Sequence, residues 1–139
     1  MTPDDTYGDG PTDLSSIHVL VVDDTREVLD LIVEIVESYG AIATAADTAE
    51  QALVLLERER PDVLLSDLEM PGHGGLWLIE QVRKLPSGRG GATPAACLTA
   101  RVEPEDRARV LSAGFQYHIP KPIRLEQLVG IVRVLALKP

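Results

Sequence analysis

The sequence predicts an α/β fold, a parallel β-sheet carrying helices on both faces. Short apolar runs alternate with longer amphipathic ones from Ile17 onward. Apart from His18, the runs over 17–22, 63–65 and 95–98 are apolar on successive residues, as strands buried on both faces should be. Glycine or proline marks most changes of period. Five strands alternating with five helices place the crossovers on the two faces of one sheet.

The elements follow in order. IHVLVV over 17–22 is a β-branched strand ending in Asp23 and Asp24. From Arg26 to Tyr39 apolar residues recur at helical spacing (Leu29, Ile32, Val33, Val36), and Gly40 is the stop. Residues 42–45 make a weak second strand. Thr48 caps a helix running to about residue 60, which Pro61 ends. VLLSD over 63–67 is a third strand ending in an acid, MPGHGG over 70–75 a loop, and 76–85 a helix. The glycine-rich stretch 86–94 is the longest break inside the domain. Residues 95–99 form the fourth strand, which ends in a hydroxyl. Pro104 suits a first helical turn, and Gly114 stops that helix. Residues 116–119 form the fifth strand before Pro120-Lys121-Pro122, and a helix from Leu125 to about Leu137 closes the chain.

At 139 residues the chain suits one domain with a self-sufficient core. Apolar residues make up 45% and charged residues 25%, which excludes wholesale disorder. Thirteen bases against 22 acids give a net charge of −9. That balance argues against nucleic acid, whose phosphates need clustered Lys and Arg, and against anionic lipid. One cysteine makes no internal disulfide, three scattered histidines make no zinc pattern, and no apolar run reaches membrane-spanning length. A cytoplasmic location is expected. Residues 1–15 carry Asp4, Asp5, Asp9 and Asp13 without a base and read as a flexible acidic tail, leaving 16–139 as the domain.

In open α/β sheets ligands bind beyond the carboxyl ends of the strands. Polar groups stand at that edge after four of the five strands: Asp23 and Asp24, then Asp67, Thr99 and Lys121. One such acid is ordinarily a cap or a turn; five groups on one edge are hard to explain as caps. Three carboxylates in one cleft repel unless a cation neutralises them, and oxygen ligands with open positions suit Mg²⁺. A carboxylate attacks phosphorus to form an acyl phosphate. In-line transfer then needs positive charge and donors around the equatorial oxygens, which Lys121 and Thr99 supply. The inventory describes a metal-assisted aspartyl-phosphate site.

From Ile17 onward the chain resembles a receiver domain of bacterial two-component signalling. The resemblance rests on VVDD over 21–24, SDLEMPG over 66–72, LTA over 98–100 and Lys121-Pro122, all in family order. It implies a flavodoxin-like, doubly wound five-stranded sheet in the order 2-1-3-4-5 with five helices. Asp67 would accept a phosphoryl group from a phosphohistidine of a histidine kinase or histidine phosphotransfer domain. Asp24 and Asp67 would bind Mg²⁺ directly, Asp23 through water, and Glu69 through its carbonyl. The chain would act as a signalling domain rather than an enzyme, catalysing its own phosphorylation and slow dephosphorylation. Thr99 and the aromatic position of strand five would switch a surface running from strand four to the last helix, read by a second copy or a downstream effector. The Lys121-Pro122 bond is expected to be cis. A softer likeness, in GGATP over 90–94 and AGFQYH over 113–118, is to the C-terminal receivers of hybrid sensor kinases. A single-domain relay, or a piece of such a kinase, is expected.

The aromatic position holds His118, whose imidazole rotates as a larger ring would but is smaller and polar; the alternative is a half-exposed strand residue. Glu69 overhangs the phosphoryl position or contributes only its backbone, and Arg101 is a second candidate for controlling water access. On the first helix Val28, Leu31 and Ile35 form a second apolar stripe, which either docks the kinase or packs on the last helix. His73 lies near the metal, but Mg²⁺ prefers oxygen. His18 is an ordinary strand residue and Cys97 a buried inert thiol. Two rivals stand: a dehalogenase-type phosphatase, which wants a second Asp where Glu69 is, and a flavodoxin-type module, for which 4% aromatics offer little to stack on flavin.

Overall fold

The computed structural model describes residues 13–100 and 103–137. The elements are β1 (His18–Val22), α1 (Arg26–Ser38), β2 (Ile42–Ala46), α2 (Ala49–Glu59), β3 (Val63–Asp67), α3 (Gly75–Lys84), β4 (Ala95–Thr99), α4 (Pro104–Ala113), β5 (Tyr117–Pro120) and α5 (Leu125–Ala136). The strands form one parallel sheet in the order β2-β1-β3-β4-β5. This is the expected α/β architecture and strand order.

Alternation along the strands separates two cores. Val19 and Val21 of β1 turn to a layer made by α1 and α5, with Leu29, Ile32, Val36, Leu128, Val132 and Leu135 buried there. Leu20 and Val22 turn the other way, to α2, α3 and α4, against Ala52, Leu56, Leu78, Ile79 and Val110. Strands β3 and β4 are buried at every position, which is why their sequences read as unbroken apolar runs. Strand β2 is an edge, mostly exposed or half-buried, and its signal was correspondingly weak.

Local chemistry sets the ends. The Thr48 hydroxyl accepts the Gln51 N–H at 3.1 Å and caps α2. Gly40 adopts φ +100°, and the Gly40 and Ala41 N–H groups close the end of α1 on Glu37 and Val36 carbonyls. The Lys121-Pro122 bond is cis.

Two features depart from the sequence reading. Leu14, assigned to the tail, is fully buried in the α1/α5 layer. Its N–H donates to the Tyr39 carbonyl at 2.8 Å, and the Arg133 guanidinium donates to the Asp13 carbonyl. Asp13 and Leu14 are therefore part of the fold, one leucine sealing the base of this layer; residues 1–12 of the tail lie outside the described residues. The long break is also built: a 3₁₀ turn at Ser87–Arg89 is followed by Gly91 and Thr93, whose carbonyls accept from Arg83 while Arg83 reaches the Gly114 carbonyl too. Burial holds this guanidinium below its usual basicity.

Candidate functional site

The register assembles the site. Val22 lies beside Ser66, so Asp23 and Asp67 emerge at the same level from adjacent strands. Asp67 lies beside Leu98, and Thr99 beside Pro120, so Thr99 and Lys121 close the row from the other side. The Lys121 N–H donates to the Thr99 carbonyl at 2.9 Å, anchoring the loop that carries the ammonium.

The Lys121 Nζ donates to Asp67 Oδ1 at 3.0 Å and to Asp23 Oδ2 at 3.4 Å. The other oxygen of Asp23 accepts the Thr25 N–H at 2.9 Å, so this fully buried carboxylate is held from both sides. Carboxylate oxygens of Asp23, Asp24 and Asp67 all lie within 4.8 Å of one another. Asp24 is exposed, whereas Asp67 and Thr99 are buried. Burial, with the charge of Asp23, raises the Asp67 carboxyl above the ordinary carboxylate range, against the opposing pull of Lys121 and a hydrogen bond from the Glu69 backbone. Burial depresses the Lys121 ammonium, but bonds to Asp67 and the two acids' charges outweigh it and raise its pKa.

The loop after β3 folds tightly onto this site. The Gly75 N–H donates to the Leu68 carbonyl at 2.9 Å. A Cβ at Gly75 would lie 2.5 Å from the Asp67 carbonyl oxygen, and one at Gly74 2.7 Å from that of Leu68. Glycine is required at both positions by this close approach, and Leu68 and Met70 anchor the loop in the core.

The expected set Asp23, Asp24, Asp67, Thr99 and Lys121 thus shares one edge. Glu69 is exposed beside it, with its backbone turned to Asp67. His118 stands apart, half-buried in the wall of a cleft of about 320 Å³ between α4, β5 and α5 that Arg107, Leu111 and Tyr117 also line. The α1 stripe divides: Val28 and Ile35 pack on the α1/α5 core, while Leu31 is 48% exposed. His73 pairs with Glu50 at 2.7 Å, and His18 bonds Thr44 across the strands at 2.8 Å. Burial pushes the Cys97 thiol up to about 12. Arg101 lies outside the described residues. Sequence reasoning did not find Arg83, whose acceptors are mostly backbone carbonyls without a sequence signature, or the His73–Glu50 pair.

The donor set fits a hard divalent cation: the three acids offer oxygen ligands close together, and among the described residues one ammonium faces these three carboxylates. Among the described residues no helix is long and apolar enough to cross a membrane.

Comparison with known proteins places the chain in a family. The family model of the response regulator receiver domain matches residues 19–133. An uncharacterized 14.6 kDa protein in the sodA1 3'region of Leptolyngbya boryana is 42% identical over 120 residues, covering 86% of this chain and 90% of that protein. Response regulator MprA of Mycobacterium tuberculosis is 35% identical over 120 residues, 86% of this chain, which spans 50% of MprA. The solved structure of chemotaxis protein CheY4 of Vibrio cholerae superposes with a TM-score of 0.80 at 25% identity, covering 86% of this chain and 98% of that one. The chain belongs to the response regulator receiver domains of two-component signalling.

Proposed function

We propose that this receiver is a phosphoacceptor: an oxygen of Asp67 attacks the phosphorus of a phosphohistidine on a histidine kinase or histidine phosphotransfer domain. The P–N bond breaks, its electron pair returns to the imidazole, and an acyl phosphate forms on Asp67. The observation that carries this reading is the two-pronged contact of Lys121, which holds Asp67 and Asp23 together at the head of a three-carboxylate cluster.

Asp24, Asp67 and the Glu69 carbonyl would hold Mg²⁺, with Asp23 acting through water; when bound, the cation screens the carboxylates and neutralises charge on the phosphoryl oxygens. Lys121 exchanges its bond to the Asp67 carboxylate for one to the transferred group, so its charge is already in place as the equatorial oxygens arrive. The Thr99 hydroxyl donates to the same oxygens. Slow return follows when water attacks phosphorus, releasing phosphate and the Asp67 carboxylate. The Glu69 side chain sets the rate of that return by repelling or orienting the water; Glu69→Asn changes the acyl-phosphate half-life, and an unchanged decay removes this role.

Movement of Thr99 is passed to His118 and the cleft beside it, a face offered to a second copy or an effector. His118→Ala leaves phosphorylation of Asp67 intact and abolishes any phosphorylation-dependent change in oligomeric state; an unaltered response removes His118 from the switch. Leu31 is the exposed member of the stripe offered to the kinase. The direct test of the whole reading is intact mass after incubation with acetyl phosphate and Mg²⁺. The parent gains one phosphoryl group and Asp67→Asn gains none; equal uptake by both refutes it.

A further inference from the structure

The loop that carries Glu69 is tied down at a second point, away from the carboxylates. His73 Nδ1 is 2.7 Å from Glu50 Oε2, in the first turn of α2. The same ring stacks on Trp77 of α3, with centroids 4.0 Å apart and planes 13° from parallel. Trp77 is itself half-buried against the α2/α3/α4 core. One side chain therefore connects the loop to two helices. The hydrogen bond from His73 also holds the Glu50 carboxyl below the ordinary range.

The placement matters because of what His73 adjoins. Gly72 before it adopts φ +75°, and Gly74 and Gly75 after it press on the carbonyls of Leu68 and Asp67. Four residues earlier, the Glu69 backbone hydrogen-bonds the Asp67 carboxylate. On the Gly74–Gly75 side of His73 a shift of the loop has little free space before it reaches the carbonyls of Leu68 and Asp67. Glu50 and His73 are 59% and 49% exposed, so their pairing adds little to global stability. Its effect falls on geometry.

We propose that His73 is a positioning residue for phosphoryl transfer at Asp67, its ring pinned between Trp77 and Glu50 so that the 68–75 loop keeps the Glu69 backbone aimed at the reacting carboxylate. This rests on the phosphoacceptor reading and adds to it a positioning residue in the same loop.

The test compares the parent with His73→Ala, His73→Phe (which keeps the stack) and Glu50→Gln. Amide exchange across 68–74 should accelerate at least about fivefold in His73→Ala, while exchange in β1, β3 and β4 and the urea midpoint stay unchanged. Phosphorylation by acetyl phosphate with Mg²⁺, followed by intact mass, should slow by about 3- to 10-fold, because small misplacements at a reacting group are costly. His73→Phe should recover part of the loss. Trp77, the chain's one tryptophan, should change its emission when its stacking partner is removed. Unchanged loop exchange in His73→Ala overturns the proposal, as does faster exchange with an unaltered phosphorylation rate. A parent that takes up no phosphoryl group refutes the phosphoacceptor reading itself and removes this role with it.

Discussion

Replacing Lys121 by Met keeps a side chain of similar length and removes the ammonium that bonds Asp67 and Asp23. At 3.0 Å, with an effective dielectric of about 20, the Lys121–Asp67 attraction is worth roughly 5 kcal/mol before desolvation. Removing one partner of a buried pair costs about 3–5 kcal/mol. The Lys121 side chain is 25% exposed, so water recovers part of that, and about 2–3 kcal/mol is expected. For a chain of 139 residues this lowers Tm by roughly 6–12 °C.

The pH dependence separates charge from packing. Burial already raises the Asp67 carboxyl, so the folded state keeps its proton to higher pH than the unfolded chain does. Stability from this group therefore falls as pH rises through a window opening near about 4. Lys121 opposes that shift, and its loss extends the window upward. The Tm deficit of Lys121→Met should be largest near neutral pH and shrink towards about pH 4. Mg²⁺ should restore more Tm to the variant than it adds to the parent, because the carboxylates it meets have lost their competing cation. Thermal melts across pH, with and without Mg²⁺, decide this. A deficit that does not vary with pH, or no deficit at all, refutes the electrostatic account of the site.

Leu14→Ala should cost about 2–4 kcal/mol in urea unfolding, as a cavity-forming change in a core, and a negligible loss would return Leu14 to the tail. Gly75→Ala should slow phosphorylation by Mg²⁺ and acetyl phosphate, since its Cβ would meet the Asp67 carbonyl at 2.5 Å; an unchanged rate would show that the loop yields freely. The Cys97 thiol, fully buried and pushed up to about 12, should resist a disulfide reagent at pH 8 until the protein is unfolded; rapid reaction of the native protein would contradict its burial.

Much of this architecture was legible because burial leaves periodic marks. Strands β3 and β4 have no exposed face, so VLLSD and AACLT stand out, and both were bounded to the residue. The candidate cluster was legible for a related reason: a polar residue ending an apolar strand has few structural excuses, and Asp23, Asp67 and Thr99 are buried polar groups. Leu14 was not, because one leucine among Asp and Ser carries no period. The Arg83 contacts and the His73–Glu50 pair were not, because backbone carbonyls carry no sequence signature and Glu50 lies 23 positions from His73, so only the fold brings them together. The stripe of Val28, Leu31 and Ile35 was ambiguous because half-buried positions satisfy both readings, and the fold divides them accordingly.

The central claim is that Asp67 itself carries a transient acyl phosphate. Borohydride reduction after incubation with acetyl phosphate and Mg²⁺ converts an aspartyl phosphate to homoserine, and peptide mapping locates it. Homoserine at position 67, dependent on both reagents and lost in Lys121→Met, is the predicted result. Reduction at another acid, or none in protein whose mass shows a phosphoryl group, would contradict it.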